Sequence, residues 1–246
     1  MLTKEKDSVV LGIENAAMKN PKWADYAAYC FDREKGLRKS AFKRLDKFLE
    51  STEDWSLDDR IEFVKFLFSS SENAHDAMRS FVPYQLNEKL VKPTLLAWCN
   101  IEQTDSSPFR WRGQLGGCYG YEGEFSHDET YLFKALDLNP ADDLARITMI
   151  DSWLRALDFH VHELPWGYLG IPSDDMKLCE KINEHIQQLT KPELRESRMK
   201  NLEHSLELVR NYIEWKTSQH PDFEKWGEEN NKRTSVYGMR RYTYTA

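Results

Sequence analysis

Asp151, Arg155, Asp158 and His162 recur at spacings of 4, 3 and 4 within a stretch of helical periodicity. On a helix that spacing sets four ionisable side chains in one row, about 100° around from the apolar seam of the same segment. Such a row is either a solvated face of i,i+4 charge pairs, each contributing about 0.2–0.5 kcal/mol, or a polar contact row at the edge of a groove, with His162 able to titrate near neutral pH. The overlapping run His160-Val161-His162-Glu163 invites a metal reading. Residues two apart on a helix point about 200° from each other, however, so the two rings cannot share an ion there, and the H-E-x-x-H spacing is absent. No metal and no cofactor is expected.

Three further groups could carry binding or catalysis. Arg110-Trp111-Arg112 with Tyr119 and Tyr121 would form a binding corner if the guanidinium groups stack on the rings and fork onto carboxylates; alternatively Trp111 and Tyr119 are core residues and the arginines snorkel to solvent. Trp166, in the turn Leu164-Pro165-Trp166-Gly167, is either folded back onto the core, which is the expectation, or exposed as an anchor. Glu122, Glu124, His127, Asp158 and His162 could serve a hydrolase-type reaction only if the fold gathers them into one cleft. The sequence contains no G-x-S-x-G elbow, no G-x-x-x-x-G-K-[ST] loop and no G-x-G-x-x-G.

Composition bounds the setting of these groups. The chain has 246 residues, 40% hydrophobic and 30% charged, with 8 Trp, 11 Tyr and 12 Phe, which is enough apolar surface to fold one large domain. Its net charge of −7 argues against broad binding to a phosphate backbone, which needs clustered Lys and Arg. Neither a signal-peptide outline nor an apolar run of membrane-spanning length is present, so a cytoplasmic location away from membranes is expected. Cys30, Cys99, Cys118 and Cys179 lie far apart without a C-x-x-C pair, as expected of reduced structural thiols.

The elements that must position these side chains read as helices throughout. Apolar residues recur at helical spacing from Lys4 to Lys19, across Trp23 to Cys30, and across Leu37 to Leu49, with Asn20-Pro21 and Gly36 as breaks. Ser56 before Leu57-Asp58-Asp59 reads as a hydroxyl cap followed by acids in the first turn. A short helix around Ala74 to Phe81 and a segment over Leu86 to Trp98, kinked or divided by Pro93, come next. If the chain has two lobes, the polar run Thr104 to Pro108 is where they meet. Ser126-x-x-Glu129 has the form of a capping box for a helix ending at Leu138. The longest seam, Leu144, Ile147, Ile150, Leu154, Leu157, Val161 and Leu164, follows Asp142 and Asp143. Ser173-Asp174-Asp175 reads as the cap of another helix, and Thr190-Lys191-Pro192-Glu193 has a capping-box outline for one carrying Met199, Leu202, Leu206, Val209 and Ile213. A short helix at Phe223 and Trp226 precedes a basic, aromatic tail over residues 232–246. The expected fold is all-α, with stacked antiparallel helical hairpins in one domain over residues 1–231.

Between Leu115 and Pro140 the residues resemble one degenerate tetratricopeptide repeat. Leu115-Gly116 and Tyr119 match its L-G-x2-Y, and Leu132, Ala135 and Pro140 match its later positions, whereas Trp111 sits one position early and Asp128 stands where a small residue belongs. Gly113, Gly116, Gly117, Gly120 and Gly123 each disfavour helix by about 1 kcal/mol, so a short or broken helix is expected there. The stretch is similar to tetratricopeptide-like segments of bacterial helical proteins of unassigned function. That resemblance implies a partly superhelical surface that binds a protein or peptide, and no catalysis. A non-enzymatic binding module, whether adaptor or immunity-type inhibitor, is therefore the leading expectation. The rivals are the enzyme described above and a structural homo-oligomer pairing through the Met199–Ile213 seam.

Overall fold

The computed structural model describes residues 12–71, 82–119 and 129–236, without the side chains of 70, 71 and 116–119. Every element among the described residues is helical, and the protein is all-α. Contacts divide the chain into two compact units, Met1–Leu138 and Asn139–Ala246. The polar run 104–108 lies inside the first unit, and the division comes two helices later, after Leu138.

In the first unit, α1 (12–19) leads through a 3-10 turn at Pro21–Trp23 into α2 (Ala24–Glu34), which packs against α3 (Arg38–Ser51). Gly36 turns the chain between α2 and α3 with φ +74°, a left-handed conformation that side chains disfavour. α4 (Leu57–Ser71) begins as expected: the Asp59 amide donates to Ser56 Oγ at 3.1 Å and the Ser56 amide donates back to Asp59 Oδ2 at 3.3 Å. The core is aromatic, with Tyr26, Phe48 and Phe63 fully buried and the Tyr26–Phe63 and Phe48–Phe63 centroids 5.0 Å apart.

Pro93 does not divide its segment. Tyr84–Leu86, a π-helical stretch at Asn87–Val91 and Lys92–Ile101 run on as one helix, α5, and the wider turn sits directly before the proline. A π turn shifts the hydrogen-bond register where proline withholds its N–H. After α5, Glu102 organises the polar run: Oε1 accepts the amides of Gln103, Thr104 and Asp105 at 2.9–3.0 Å. The Asp105 and Thr104 amides hold this carboxyl down at about 2. α6 (Ser107–Tyr119) carries Gly113, Gly116 and Gly117 in helical conformation and packs against α5 and α7 (Glu129–Leu138). Ser126, His127 and Asp128 lie outside the described residues, as do residues 1–11, the helix expected over 74–81 and the tail beyond 236.

In the second unit, α8 (Asp143–Val161) and α9 (Pro172–Gln187) pack together, and α10 (Pro192–Ser218) packs against both. α11 (Phe223–Asn230) joins α10 around Leu208, Val209, Phe223 and Trp226. Asp142 is the cap of α8, accepting the Ala145 amide at 3.0 Å. The helix ends at Val161, one turn short of Leu164, because Pro165 cannot donate; i,i+3 bonds from Leu164 to Val161 and Trp166 to Glu163 form a turn instead. Two expected caps are replaced by longer-range contacts. Lys191 and Ile171 occupy the N-caps of α10 and α9 without a side-chain bond. Thr190 instead bonds Asp143, and Asp175 turns inward. Along the apolar seam of α10, Leu202 and Val209 are buried and Met199, Leu206 and Ile213 are half-buried.

Candidate binding groove and the Trp166 turn

The polar row of α8 faces α10 across a groove of about 600 Å³. α8 contributes Asp151, Leu154, Arg155 and Asp158, and α10 contributes Ser197, Arg198, Lys200, Asn201, His204 and Ser205. The two helices run in the same direction here: Asp151 meets Arg198, and seven residues further along Asp158 acts on His204. Arg198 grips Asp151 with both prongs of its guanidinium, Nε to Oδ1 at 3.1 Å and Nη2 to Oδ2 at 3.0 Å. That bidentate pair fixes the groove floor at one end.

At the other end a strap of chain crosses α10. Asn211 donates to the Arg233 carbonyl at 2.8 Å, and Arg233 donates to the Ser235 and Val236 carbonyls and, through Nη1, to His204 Nδ1 at 2.7 Å. Arginine only donates, so His204 accepts at Nδ1 and carries its proton on Nε2. Burial, and then the Arg233 charge, lower the His204 pKa, while Asp158 and Glu207 pull it upward. Because the folded-state pKa lies below the unfolded one, protonation favours the unfolded chain: the bond contributes fully above about pH 6.5 and is lost as pH falls below it. Urea midpoints measured at pH 7.5 and 5.5 should show a drop on acidification. His204→Asn, whose amide oxygen can accept from Arg233 and does not titrate in this range, should show a smaller one; equal drops would refute the assignment.

His162, the fourth member of the expected row, does not line the groove. Its Nδ1 lies 2.6 Å from the Phe159 carbonyl and its Nε2 3.0 Å from Glu163. Asp158 and His162 are thus not brought into one cleft, and Glu122, Glu124 and His127 lie outside the described residues. His160 and His162 diverge as helical geometry requires, His160 turning to Asp175. Among the described residues no group of three His, Cys, Asp or Glu side chains could hold a metal ion. Burial pushes the Cys30 thiol up to about 12 and those of Cys99 and Cys179 up to about 11, far from a nucleophilic thiolate at neutral pH.

Trp111 belongs to the core of the first unit, 4% exposed and stacked on Phe68 at 5.0 Å. Of the binding corner expected at Arg110, Trp111, Arg112, Tyr119 and Tyr121, Tyr121 lies outside the described residues. Arg110 lies over the Trp111 ring and Arg112 over Tyr131, and the side chain of Tyr119 is outside the description.

Trp166 reverses the expectation. It is 85% exposed, on a turn followed by exposed Leu169 and Ile171 and preceded by exposed Phe159 near the end of α8. Buried Asp175 pins this turn from below: it accepts from His160 Nδ1 at 2.9 Å and from the Tyr168 hydroxyl at 2.6 Å. The Leu169 amide bonds the His160 carbonyl at 3.0 Å, and Tyr168 stacks on Tyr212 of α10 at 4.7 Å. Gly170 lies so close beneath the turn that a Cβ there would stand 2.4 Å from Asp175 Oδ2 and 2.7 Å from the His160 ring. Nothing in the local sequence around Trp166 announced this, since its anchor, Asp175, reads as a helix-cap residue.

Among the described residues no helix is long and apolar enough to cross a membrane. No family model matches the chain, and neither a curated protein nor a solved structure does.

Proposed function

We propose that this protein is a non-enzymatic, cytoplasmic protein-binding module, of the kind an adaptor or an immunity-type inhibitor needs. The observation that carries this reading is the pinned, exposed turn at Trp166. An indole held out to solvent by a buried carboxylate, backbone hydrogen bonds within its turn and a stacked tyrosine loses little freedom on meeting a partner. Exposed aromatic anchors of this type dominate the energetics of protein interfaces. Burial of Leu115, Leu132 and Ala135 in the first unit supports a tetratricopeptide-like packing there.

The test is quantitative capture from a lysate of the organism that encodes the chain. Trp166→Ala should weaken capture of the wild-type partner about 30-fold, equivalent to about 2 kcal/mol, while leaving the melting temperature unchanged. Capture that survives Trp166→Ala, or no capture by the wild type, would overturn the reading.

A further inference from the structure

We infer that the end of the α2–α3 hairpin, residues 33–43, docks on an anionic lipid surface. The inference goes beyond the Trp166 reading and rests on residues of the first unit alone.

Charge is the first argument. Within a chain of net charge −7, residues 33–43 hold Arg33, Lys35, Arg38, Lys39 and Lys43 against Glu34. Asp32, just before them, is already occupied: Ser40 Oγ donates to it at 2.6 Å and Arg44 Nε at 3.2 Å. Among the described residues none of the five cations forms an ion pair with a carboxylate. Arg33 from α2 and Arg38 from α3 instead converge on one ring, each guanidinium 5.9 Å from the centre of Phe42, and Lys35 Nζ lies 3.9 Å from the centre of Phe31. A guanidinium resting on a ring keeps N–H donors at its edge for an anion.

The positions of Arg38 and Lys39 add to this. They open α3, whose first turn has no acid and whose N-cap, Leu37, makes no side-chain bond. Cations at that end oppose the helix dipole, and the bare cap forgoes a stabilising bond. These residues work against the helix that carries them, and an anion from outside supplies the charge that the chain does not.

Shape and apolar content name the occupant. Residues 34–40 are exposed without a break on both sides of the Gly36 turn, so the hairpin presents a convex end rather than a cleft that encloses a peptide. At this end Leu37 is 51% exposed and Phe31, under Lys35, 41%. A nucleic-acid backbone would meet the cations and leave Leu37 in water. A bilayer interface takes both: Leu37 and Phe31 enter the boundary between headgroups and acyl chains, while the Lys and Arg stems lie along it and reach the lipid phosphates and carboxylates. A surface contact of this kind needs no membrane-spanning helix.

Sedimentation of the full chain with vesicles tests this. Vesicles of phosphatidylcholine with about one-third phosphatidylserine should bind the wild type, pure phosphatidylcholine vesicles should not, and salt near about 1 M, where screening shortens to about 3 Å, should release it. Lys35→Gln/Arg38→Gln/Lys39→Gln should bind about tenfold or more weakly, Leu37→Ser about threefold or more weakly, and Trp166→Ala as wild type does. Neither hairpin variant should lower the melting temperature, because the triple change removes cations from the positive end of the dipole and serine at the N-cap accepts from the first turn. No binding to phosphatidylserine vesicles, equal binding to neutral ones, binding indifferent to either hairpin variant, or tighter binding to single-stranded RNA or polyglutamate than to vesicles would each overturn the inference. Vesicle binding lost with Trp166→Ala but kept by the hairpin variants would overturn it as well.

Discussion

Asp143→Ala should destabilise the full chain by about 3 kcal/mol, seen as a fall of roughly 6–12 °C in melting temperature by calorimetry. Asp143 is 8% exposed, and its carboxylate accepts from the Thr190 amide at 2.9 Å, the Thr190 hydroxyl at 2.5 Å and the Lys191 amide at 3.2 Å. Those amides immediately precede α10, so one side chain at the start of α8 supplies the cap that the Thr190 segment does not provide for itself. Alanine would leave both amides without that acceptor. It would also remove a compensating charge from Arg146, which is 4% exposed and donates to Gln188 Oε1 at 2.6 Å and to the Pro140 carbonyl at 2.7 Å. Asp143→Asn keeps one carbonyl acceptor and should cost about half as much.

The pH dependence has a definite sign. Burial raises the Asp143 pKa, but the Thr190 hydroxyl and amide and the Lys191 amide outweigh it, and the net shift is downward. A depressed carboxyl contributes stability above its unfolded pKa, near 3.8, and loses it as pH falls through the folded value. The Asp143→Ala protein should therefore show a shallower loss of stability below pH 4 than wild type. An unchanged acid slope would show that Asp143 is not the linked group.

Asp143 also marks where the sequence stops being informative. Helix type and many boundaries are legible because their causes are local: the Ser56 hydroxyl cap with acids in the next turn, the break at Gly36 and the 3.6-residue apolar periodicity all act within a few residues. The all-α fold follows from these. The contacts that shape the candidate sites are not local. Asp143 meets Thr190 47 residues away, Arg198 meets Asp151 at the same separation, and Arg233 meets His204 29 residues away. Each involves a residue with an equally good local use, as a helix cap or a solvated charge, and only the packing of α8 against α9 and α10 decides between them. The row Asp151, Arg155 and Asp158 was legible because helical spacing alone aligns it; the α10 side of the groove has no such signature, and His162 left the row when Pro165 cut α8 short. The exposure of Trp166 has the same kind of cause, since burial of an indole is the default unless a distant residue holds its turn outward.

Asp175→Ala is the substitution that should separate the two roles of the second unit. Asp175 is 3% exposed and is the acceptor for both His160 and Tyr168. Burial, and then this carboxylate, raise the Tyr168 pKa, so the phenol stays protonated and donates throughout the physiological range. Removing the acceptor leaves two donors beneath the turn unsatisfied and should cost about 3 kcal/mol, comparable with Asp143→Ala. The consequences for binding should differ. Asp143 lies at the far end of α8 from the turn, so its loss lowers stability while Trp166 keeps its position, and capture of the Trp166-dependent partner should persist below the melting range. Asp175→Ala frees the turn and should lower capture as well as stability. Gly170→Ala reaches the same end by crowding, at about 1–3 kcal/mol. Because the added Cβ collides first with the Asp175 carboxylate, that penalty should shrink in the Asp175→Ala background, a coupling that a double-mutant cycle measures directly. Additive costs would mean that Gly170 and Asp175 act independently, and capture unaffected by Asp175→Ala would mean that the turn does not need its buried anchor to present Trp166.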